Sequence, residues 1–215
     1  NRYNLLGDTF PLADRIVPPI EYTGIVAGPS PIPASDRFDV IVSAGGGAVG
    51  EALLRASLDA RPKTSLNDAS WLLLTGPNMP QHVFDDLRQN YACETVKIER
   101  FRNGLAGLLV NARVSISQCG YNTMADILTT DCASVVVPFA VGGETEQTRR
   151  ANDLEAIGRV VMIDETSLTA FAMEQAIEKA LLQTSRGPVD INIDGADKTA
   201  DLLQAAVEHR HQSST

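Results

Sequence analysis

The sequence predicts an α/β doubly wound fold, in which helices cover both faces of a parallel sheet. Two observations favour this class. Short runs of β-branched and aliphatic residues alternate with longer segments of helical periodicity, and glycine or polar residues directly follow several of the apolar runs. With 215 residues, of which 44% are hydrophobic, the chain can bury one sizeable core. We therefore expect one main domain, over residues 37–215.

The predicted elements follow one another as repeated strand–helix units. The six expected strands are 38–43, 71–75, 95–98, 114–117, 134–137 and 160–163. The seven expected helices are 49–60, 81–90, 105–111, 123–129, 146–157, 168–183 and 197–208. The apolar residues of the first helix fall on one stripe at helical spacing, which is the pattern of a helix that packs on a sheet. They are Val49, Leu53, Leu54 and Leu58.

The segment 1–36 differs from the rest of the chain. It holds several prolines and hardly any periodicity, and residues 29–35 have the composition of a turn and linker. The chain starts with Asn1 rather than Met, and we expect this segment to enter from a further, N-terminal domain. Residues 21–24 are a candidate edge strand of the sheet.

Charge and cysteine content narrow the classes of function. The formal net charge is -9 and the isoelectric point about 4.8, the wrong sign for binding nucleic acid or an anionic membrane through bulk charge. The three cysteines lack metal-ligand spacing and are expected to be reduced thiols. No apolar run approaches the roughly 18 residues of a transmembrane helix, and no signal pattern is seen. A cytoplasmic protein is expected.

The glycine-rich segment after the first strand is the first candidate ligand-binding loop. In open α/β sheets, ligands bind where the carboxyl ends of strands meet the N-termini of helices. Gly45, Gly46 and Gly47 let the backbone approach a ligand closely, so that a diphosphate could rest on the helix N-terminus. The segment lacks both the P-loop lysine and the dinucleotide fingerprint. A merely tight turn is the alternative.

The second candidate loop, 117–126, also leads from a strand into a helix. Gly120 permits a sharp turn, and Asn122 or Thr123 can cap the helix. Asp126 falls in the first turn of the expected helix, where an acid suits the helix dipole. The functional alternative is that its two carboxylate oxygens accept hydrogen bonds from vicinal sugar hydroxyls. Cys119, within this loop, is expected to be a buried thiol rather than a reactive one.

The third candidate loop follows the next strand and continues into a helix, over residues 138–151. Glu146 and Gln147 stand in the first turn of that helix, where their side chains can bind hydroxyl groups. Arg150 can face a phosphate or pair with Glu146 at helical spacing. For Arg149 and Arg150 we expect a solvated helix face.

Together these segments resemble the C-terminal domain of family 28 glycosyltransferases. The resemblance rests on Gly-Gly-Gly after the first strand, Ser-x-x-Gly-x-x-Thr-x-x-Asp after a middle strand, and Pro-Phe followed by Glu-Gln-x-x-Arg-Ala after the next. It runs from about residue 22 to about residue 182. The family includes the N-acetylglucosaminyltransferase that builds the lipid-linked peptidoglycan precursor. The resemblance implies a Rossmann-like domain, the C-terminal half of a GT-B glycosyltransferase, which binds the nucleotide-sugar donor.

The resemblance also implies roles for individual residues. It assigns the donor diphosphate to the backbone of Gly46 and Gly47, and the ribose hydroxyls to Asp126. It assigns the transferred sugar to residues 146–147 and the edge of the base to the backbone of residues 101–102. The expected substrate-binding residues are Gly45, Gly46, Gly47, Phe101, Arg102, Gly120, Asn122, Thr123, Asp126, Glu146, Gln147 and Arg150.

The implied activity is transfer of a hexosamine or hexose from a UDP-sugar to an acceptor. No metal or other cofactor is expected, because glycine N–H groups at a helix N-terminus can stabilise a diphosphate leaving group. The acceptor and the catalytic base are expected to belong to the N-terminal domain. No catalytic residue is therefore assigned, and the isolated domain is expected to be inactive. If the acceptor is a lipid, the protein would work at the membrane surface.

Three departures from the family pattern leave the sugar open. Asp126 stands where the family often has Glu, and Glu146-Gln147 stands where the family often has Gln-Gln. The peptidoglycan enzyme has a serine in its glycine-rich loop, near the position that Gly47 occupies in this chain. They favour a related glycosyltransferase over that enzyme itself. Two other classes remain open from the sequence. One is half of a sugar-nucleotide epimerase, and the other is a non-catalytic donor-binding subunit that needs a partner chain.

Overall fold

The computed structural model describes residues 12–46, 50–139, 146–183 and 191–212. The chain divides into two compact units. Ser30–Val189 contains the sheet, and Asn1–Pro29 together with Asp190–Thr215 forms the second unit. The predicted boundary between residues 36 and 37 stays a prediction. None of the helices in the described ranges is both long and apolar enough to cross a membrane.

Six parallel strands form one sheet, as predicted. They are β1 (Val40–Ser43), β2 (Trp71–Leu74), β3 (Val96–Glu99), β4 (Val114–Ser117), β5 (Ala133–Val136) and β6 (Val161–Met162). Their order across the sheet is β3-β2-β1-β4-β5-β6, with β3 and the two-residue β6 at the edges. Every observed strand lies within two residues of its predicted bounds, because the β-branched and aliphatic runs that predict the strands are also the buried ones.

Seven helices occur at the predicted places. They are α1 (Glu51–Ala60), α2 (Gln81–Tyr91), α3 (Leu105–Leu109), α4 (Tyr121–Leu128), α5 (Glu146–Ala156), α6 (Ala170–Leu182) and α7 (Gly195–Gln212). The first six belong to the unit with the sheet, and α7 belongs to the second unit. The predicted apolar stripe of α1 is confirmed for Leu53, Leu54 and Leu58, which are buried, whereas Val49 lies outside the described residues.

Apolar side chains fill the space on both faces of the sheet. Alternation along β1 places Val40 and Val42 in the larger core cluster, with residues of α1, α2 and α6. It places Ile41 in a smaller cluster with residues of α3. Trp71 is fully buried and donates its indole N–H to the carbonyl oxygen of Leu66 at 2.9 Å. Helices therefore cover both faces, which confirms the doubly wound class.

The expected edge strand at 21–24 is wrong. In the second unit, the only strand-like pairing among its described residues is a single antiparallel bridge between Val26 and Asp194. The backbone N–H of Ile25 donates to the carbonyl of Asn192 at 2.8 Å, and Gly24 has a φ of +109°, which turns the chain out of an extended path. This segment therefore pairs with residues 192–194 and not with either edge of the sheet.

Candidate functional site

The strand order creates a crevice at the carboxyl ends of β1 and β4. These two strands are neighbours, with Ser43 opposite Ser117, yet the connections from them lead to opposite sides of the sheet. Such a reversal is the place where open α/β sheets bind ligands. The glycine-rich loop follows β1, the loop 118–120 follows β4, and the third candidate loop follows the adjacent β5. The structure thus brings the three predicted loops to one stretch of the sheet edge.

The glycine-rich loop turns tightly between β1 and α1. Gly45 has a left-handed φ of +73°, and a Cβ on it would lie 3.2 Å from Oε1 of Gln118 in the loop after β4. A Cβ on Gly50 would lie 2.0 Å from the Cβ of Ala44. Around Gly46, by contrast, no atom of the described residues lies within 4 Å of such an atom. Glycine is therefore required sterically at 45 and 50, while the space beside Gly46 is open to a ligand. The predicted site residue Gly47 lies outside the described residues.

The helix after β4 begins earlier than predicted. Gly120 is the N-cap of α4, and no side chain accepts a hydrogen bond there, so the predicted capping by Asn122 or Thr123 is wrong. Both residues lie inside the first turn, because the extended backbone of Gly120 (φ −65°, ψ 157°) already starts the helix at Tyr121. No acid lies in that first turn. Asp126 is consequently in the second turn, where a favourable dipole no longer explains it.

The carboxylate of Asp126 is half-buried and has no partner among the described residues. It makes no hydrogen bond and no ion pair with any described residue, whereas the backbone carbonyl of Asp126 accepts hydrogen bonds from the hydroxyls of Thr129 and Thr130. Burial raises the pKa of Asp126 above its ordinary 3.8. A carboxylate in such a place loses hydration without compensation. This unsatisfied acceptor is the most informative group of the site.

Arg150 is buried, which corrects the expectation of a solvated helix face. Its side chain is 2% exposed. Nη1 donates to the carbonyl oxygen of Cys119 at 2.8 Å, Nη2 pairs with the carboxylate of Glu146, and the guanidinium lies 5.7 Å from the ring centroid of Tyr121. The predicted pairing with Glu146 is confirmed. Arg150 therefore ties the start of α5 to the loop after β4.

Glu146 and Gln147 are placed differently although they are adjacent. The side chain of Glu146 is 48% exposed beside its partner Arg150. Oε1 of Gln147 accepts a hydrogen bond from the backbone N–H of Phe139 at 3.2 Å, which holds the end of β5 against the start of α5. The amide nitrogen of Gln147 makes no hydrogen bond with the described residues. It can still donate to a ligand.

After β3, Phe101 and Arg102 have separate environments. Phe101 is 64% exposed. The guanidinium of Arg102 binds both carboxylate oxygens of Glu99, at 2.9 and 2.5 Å, and Asp36 at 2.6 Å. The side chain of Arg102 is thus occupied within the protein. The backbone groups of residues 101–102 make no hydrogen bond with any other described residue.

Two further buried groups near the β4–α4 turn lack partners. Ser117 Oγ and Arg150 Nε have no hydrogen-bond partner, and Arg61 Nε is the third such atom in the described part of the chain. Burial raises the pKa of the neighbouring Cys119 thiol to about 11, which supports the expectation of an unreactive cysteine. Among the residues whose positions are described, no three His, Cys, Asp or Glu side chains are grouped as metal ligands would be.

Comparison with known proteins identifies relatives of this domain. The sequence profile of the glycosyltransferase family 28 C-terminal domain matches residues 40–203. The UDP-N-acetylglucosamine–N-acetylmuramyl-(pentapeptide) pyrophosphoryl-undecaprenol N-acetylglucosamine transferase of Synechocystis sp. is 25% identical over 187 residues, covering 83% of this chain and 50% of the relative. The enzyme of the same name from Exiguobacterium sp. is 25% identical over 177 residues, covering 80% and 49%. The chain spans about half the length of these curated relatives.

Solved structures share the fold. The Acinetobacter baumannii MurG structure superposes with a TM-score of 0.62 at 18% identity, covering 80% of this chain and 51% of that one. The calicheamicin glycosyltransferase CalG4 gives 0.60 at 14% identity, covering 84% and 45%. These likenesses confirm the predicted fold class, a Rossmann-like half of a GT-B glycosyltransferase. Because the family profile covers most of the chain, including all six strands, this chain belongs to the family of glycosyltransferase family 28 C-terminal domains.

Proposed function

We propose that this domain binds the UDP-sugar donor of a glycosyltransferase that transfers a hexosamine or hexose. Family membership supports the reaction class, and the names of the curated relatives, which include a UDP-linked sugar, support the donor. The acceptor and the catalytic base are proposed to lie in the part of the enzyme that corresponds to the other half of those relatives. No catalytic residue is assigned within this chain.

The unpartnered carboxylate of Asp126 is the observation that carries the proposal. It lies one helical turn beyond the N-terminal turn of α4, the helix that follows β4. Two adjacent ribose hydroxyls would donate one hydrogen bond to each carboxylate oxygen and so replace the lost hydration. A purely structural acid would be expected to have a cation or a backbone donor instead, and the described residues supply neither.

The diphosphate is proposed to bind the glycine-rich loop. Gly46 leaves room for close approach, and the chain continues from there to the N-terminus of α1, where backbone N–H groups and the dipole favour an anion. The resemblance to the family implies that the backbone of Gly47 also faces the diphosphate. Such fixed donors stabilise the leaving group without a metal ion, so we propose metal-independent binding.

The remaining residues are proposed to surround the other parts of the donor. Exposed Glu146 and the amide nitrogen of Gln147 can reach hydroxyls of the sugar, and the unbonded backbone at 101–102 can pair with the base. The uncapped first turn of α4, with Gly120, Asn122 and Thr123, offers further backbone donors to the ligand. Arg150 would act indirectly, by holding Glu146.

Calorimetric titration with UDP tests this proposal. The parent chain should bind UDP equally with and without a chelator. Asp126→Ala should weaken binding by about 10- to 150-fold, since removing a hydrogen-bond pair to a charged group costs about 1.5–3 kcal/mol. The matched control is Asp201→Ala, an exposed acid of α7 that should bind like the parent.

Three outcomes would contradict parts of the proposal. Binding that disappears on chelation would exclude the metal-independent mode. A folded Asp126→Ala variant with parental affinity would remove the ribose role. If the full-length enzyme converts the UDP-sugar to an isomer with no acceptor present, the epimerase class would replace the transferase.

A further inference from the structure

The side chain of Asn78 contacts the glycine-rich loop, a contact that no sequence pattern indicated. Asn78 lies after β2, and its Nδ2 donates a hydrogen bond to the backbone carbonyl of Gly46 at 2.6 Å. Asn78 is exposed, so core packing does not account for this bond. We propose that Asn78 is a positioning residue that holds the glycine-rich loop in the conformation that receives the donor diphosphate. This inference rests on the function proposed above.

The loop that carries Asn78 is itself held in place by Arg100, at the end of β3. Nη1 of Arg100 donates to the carbonyl of Met79 at 2.8 Å and, more weakly, to that of Pro77 at 3.5 Å. These two carbonyls flank Asn78 in sequence. Nη2 donates to Oε1 of Gln81 at 2.6 Å, and the guanidinium lies 4.4 Å from the centroid of an aromatic ring of α2. The position of the Asn78 backbone is therefore fixed before any ligand binds.

Backbone contacts fix the same loop from its other side. The N–H of Gly76 donates to the carbonyl of Arg100 at 2.9 Å, and Gly76 has a left-handed φ of +83°. The side chain of Met79 is 3% exposed and belongs to the main core. Asn78 thus lies in a turn that is held by several hydrogen bonds, and its own hydrogen bond to Gly46 can restrict the motion of the Gly46 backbone.

The contact matters because a carbonyl oxygen repels an anion. A glycine-rich loop binds a diphosphate through its N–H groups only when its carbonyls are directed to other donors. Asn78 supplies such a donor to the carbonyl of Gly46. Among the described residues, this is the one carbonyl of the loop that accepts a hydrogen bond from an exposed side chain. Glycine has the largest conformational freedom of all residues, so an external hydrogen bond reduces the ordering that ligand binding must otherwise bring about.

The inference is tested by comparing two ligands on three variants. Asn78→Ala removes the side chain, and Asn78→Leu keeps its approximate size without a donor. The control is Asn90→Ala, whose side chain bonds only within α2. We expect the Kd for UDP to rise about 5- to 10-fold in both Asn78 variants, the effect of losing one hydrogen bond of about 1–1.4 kcal/mol. The Kd for uridine, measured by competition, should change less than about twofold, because uridine has no phosphate.

Each outcome has one meaning. UDP affinity unchanged in the Asn78 variants would overturn the positioning role and leave the proposed function standing. Equal weakening of UDP and uridine would also overturn it, because Asn78 would then act on the nucleoside. A parent chain that binds neither ligand would remove the proposed function, and this inference with it. Unchanged melting temperatures in all three variants are expected and exclude a folding defect.

Discussion

At the scale of single residues, the proposed ribose ligand Asp126 carries a cost in stability. Its pKa in the folded chain is raised above 3.8 because burial penalises the charged form. Folding therefore favours the protonated acid, and the unfavourable contribution of Asp126 appears as the pH rises through 3.8 toward the folded pKa. At neutral pH the ionised carboxylate destabilises the unliganded domain. A bound ribose would relieve this cost.

This reasoning predicts the effect of Asp126→Asn on the unliganded chain. The variant should melt at a higher temperature than the parent near neutral pH, since no buried charge remains. At a pH well below 3.8 the two proteins should melt alike, because the parent carboxyl is then protonated in both the folded and the unfolded state. Differential scanning calorimetry at both pH values measures this. A variant less stable than the parent at neutral pH would indicate an ionic partner for Asp126.

At the scale of elements, the glycines between β1 and α1 differ in their steric surroundings. Gly50 is packed against Ala44, whereas no atom in the described ranges would contact a Cβ on Gly46. Neither has a left-handed φ, so the comparison is free of backbone strain at these two positions. Packing therefore requires glycine at position 50, whereas at position 46 glycine would leave room for the proposed diphosphate.

Two alanine substitutions test this difference. Gly50→Ala should destabilise the chain by about 1–3 kcal/mol, because the new methyl group has to displace Ala44 at the start of the turn. Gly46→Ala should leave the unfolding free energy nearly unchanged and weaken UDP binding. Urea unfolding and UDP titration on the same samples measure both. Equal losses of stability in the two variants would mean that the whole turn, and not the contact at Ala44, sets the requirement.

Strands and helices were largely predictable, whereas the contacts of the site were not. Apolar periodicity identified all six strands because burial and pattern coincide in a parallel sheet. The burial of Arg150 depends on Cys119, 31 residues away, and the bond of Asn78 to Gly46 spans 32. Local sequence cannot reveal such distant contacts. The start of α4 was misplaced because Gly120, and not a polar side chain, is its N-cap.

At the scale of the whole molecule, the proposed site would hold a donor, and no acceptor site is assigned among the described residues. The chain spans about half of its curated relatives. We predict that the 215-residue chain alone binds UDP-sugar but transfers no sugar. An enzyme that positions both reactants gains effective molarities that reach roughly 10⁵ M or more. If this chain binds the donor alone, as proposed, it would lack that gain.

Incubation with labelled UDP-sugar and a panel of lipid and soluble acceptors measures this, with the full-length enzyme as the reference. Slow release of free sugar by water is compatible with the prediction. Transfer by the 215-residue chain at a rate similar to that of the full-length enzyme would place a complete active site within it.

The two edge strands also protect the sheet from aggregation. An exposed edge presents unpaired backbone groups to which strands of other molecules can add. On β3, the N–H and the carbonyl of Val96 are both bonded to Cys93, at 3.2 and 3.1 Å, and the exposed Lys97 adds a charge. At the opposite edge, β6 contains only two residues. Neither edge offers a long, uncharged row of free donors and acceptors, so strand addition between copies of this domain is disfavoured at both ends of the sheet.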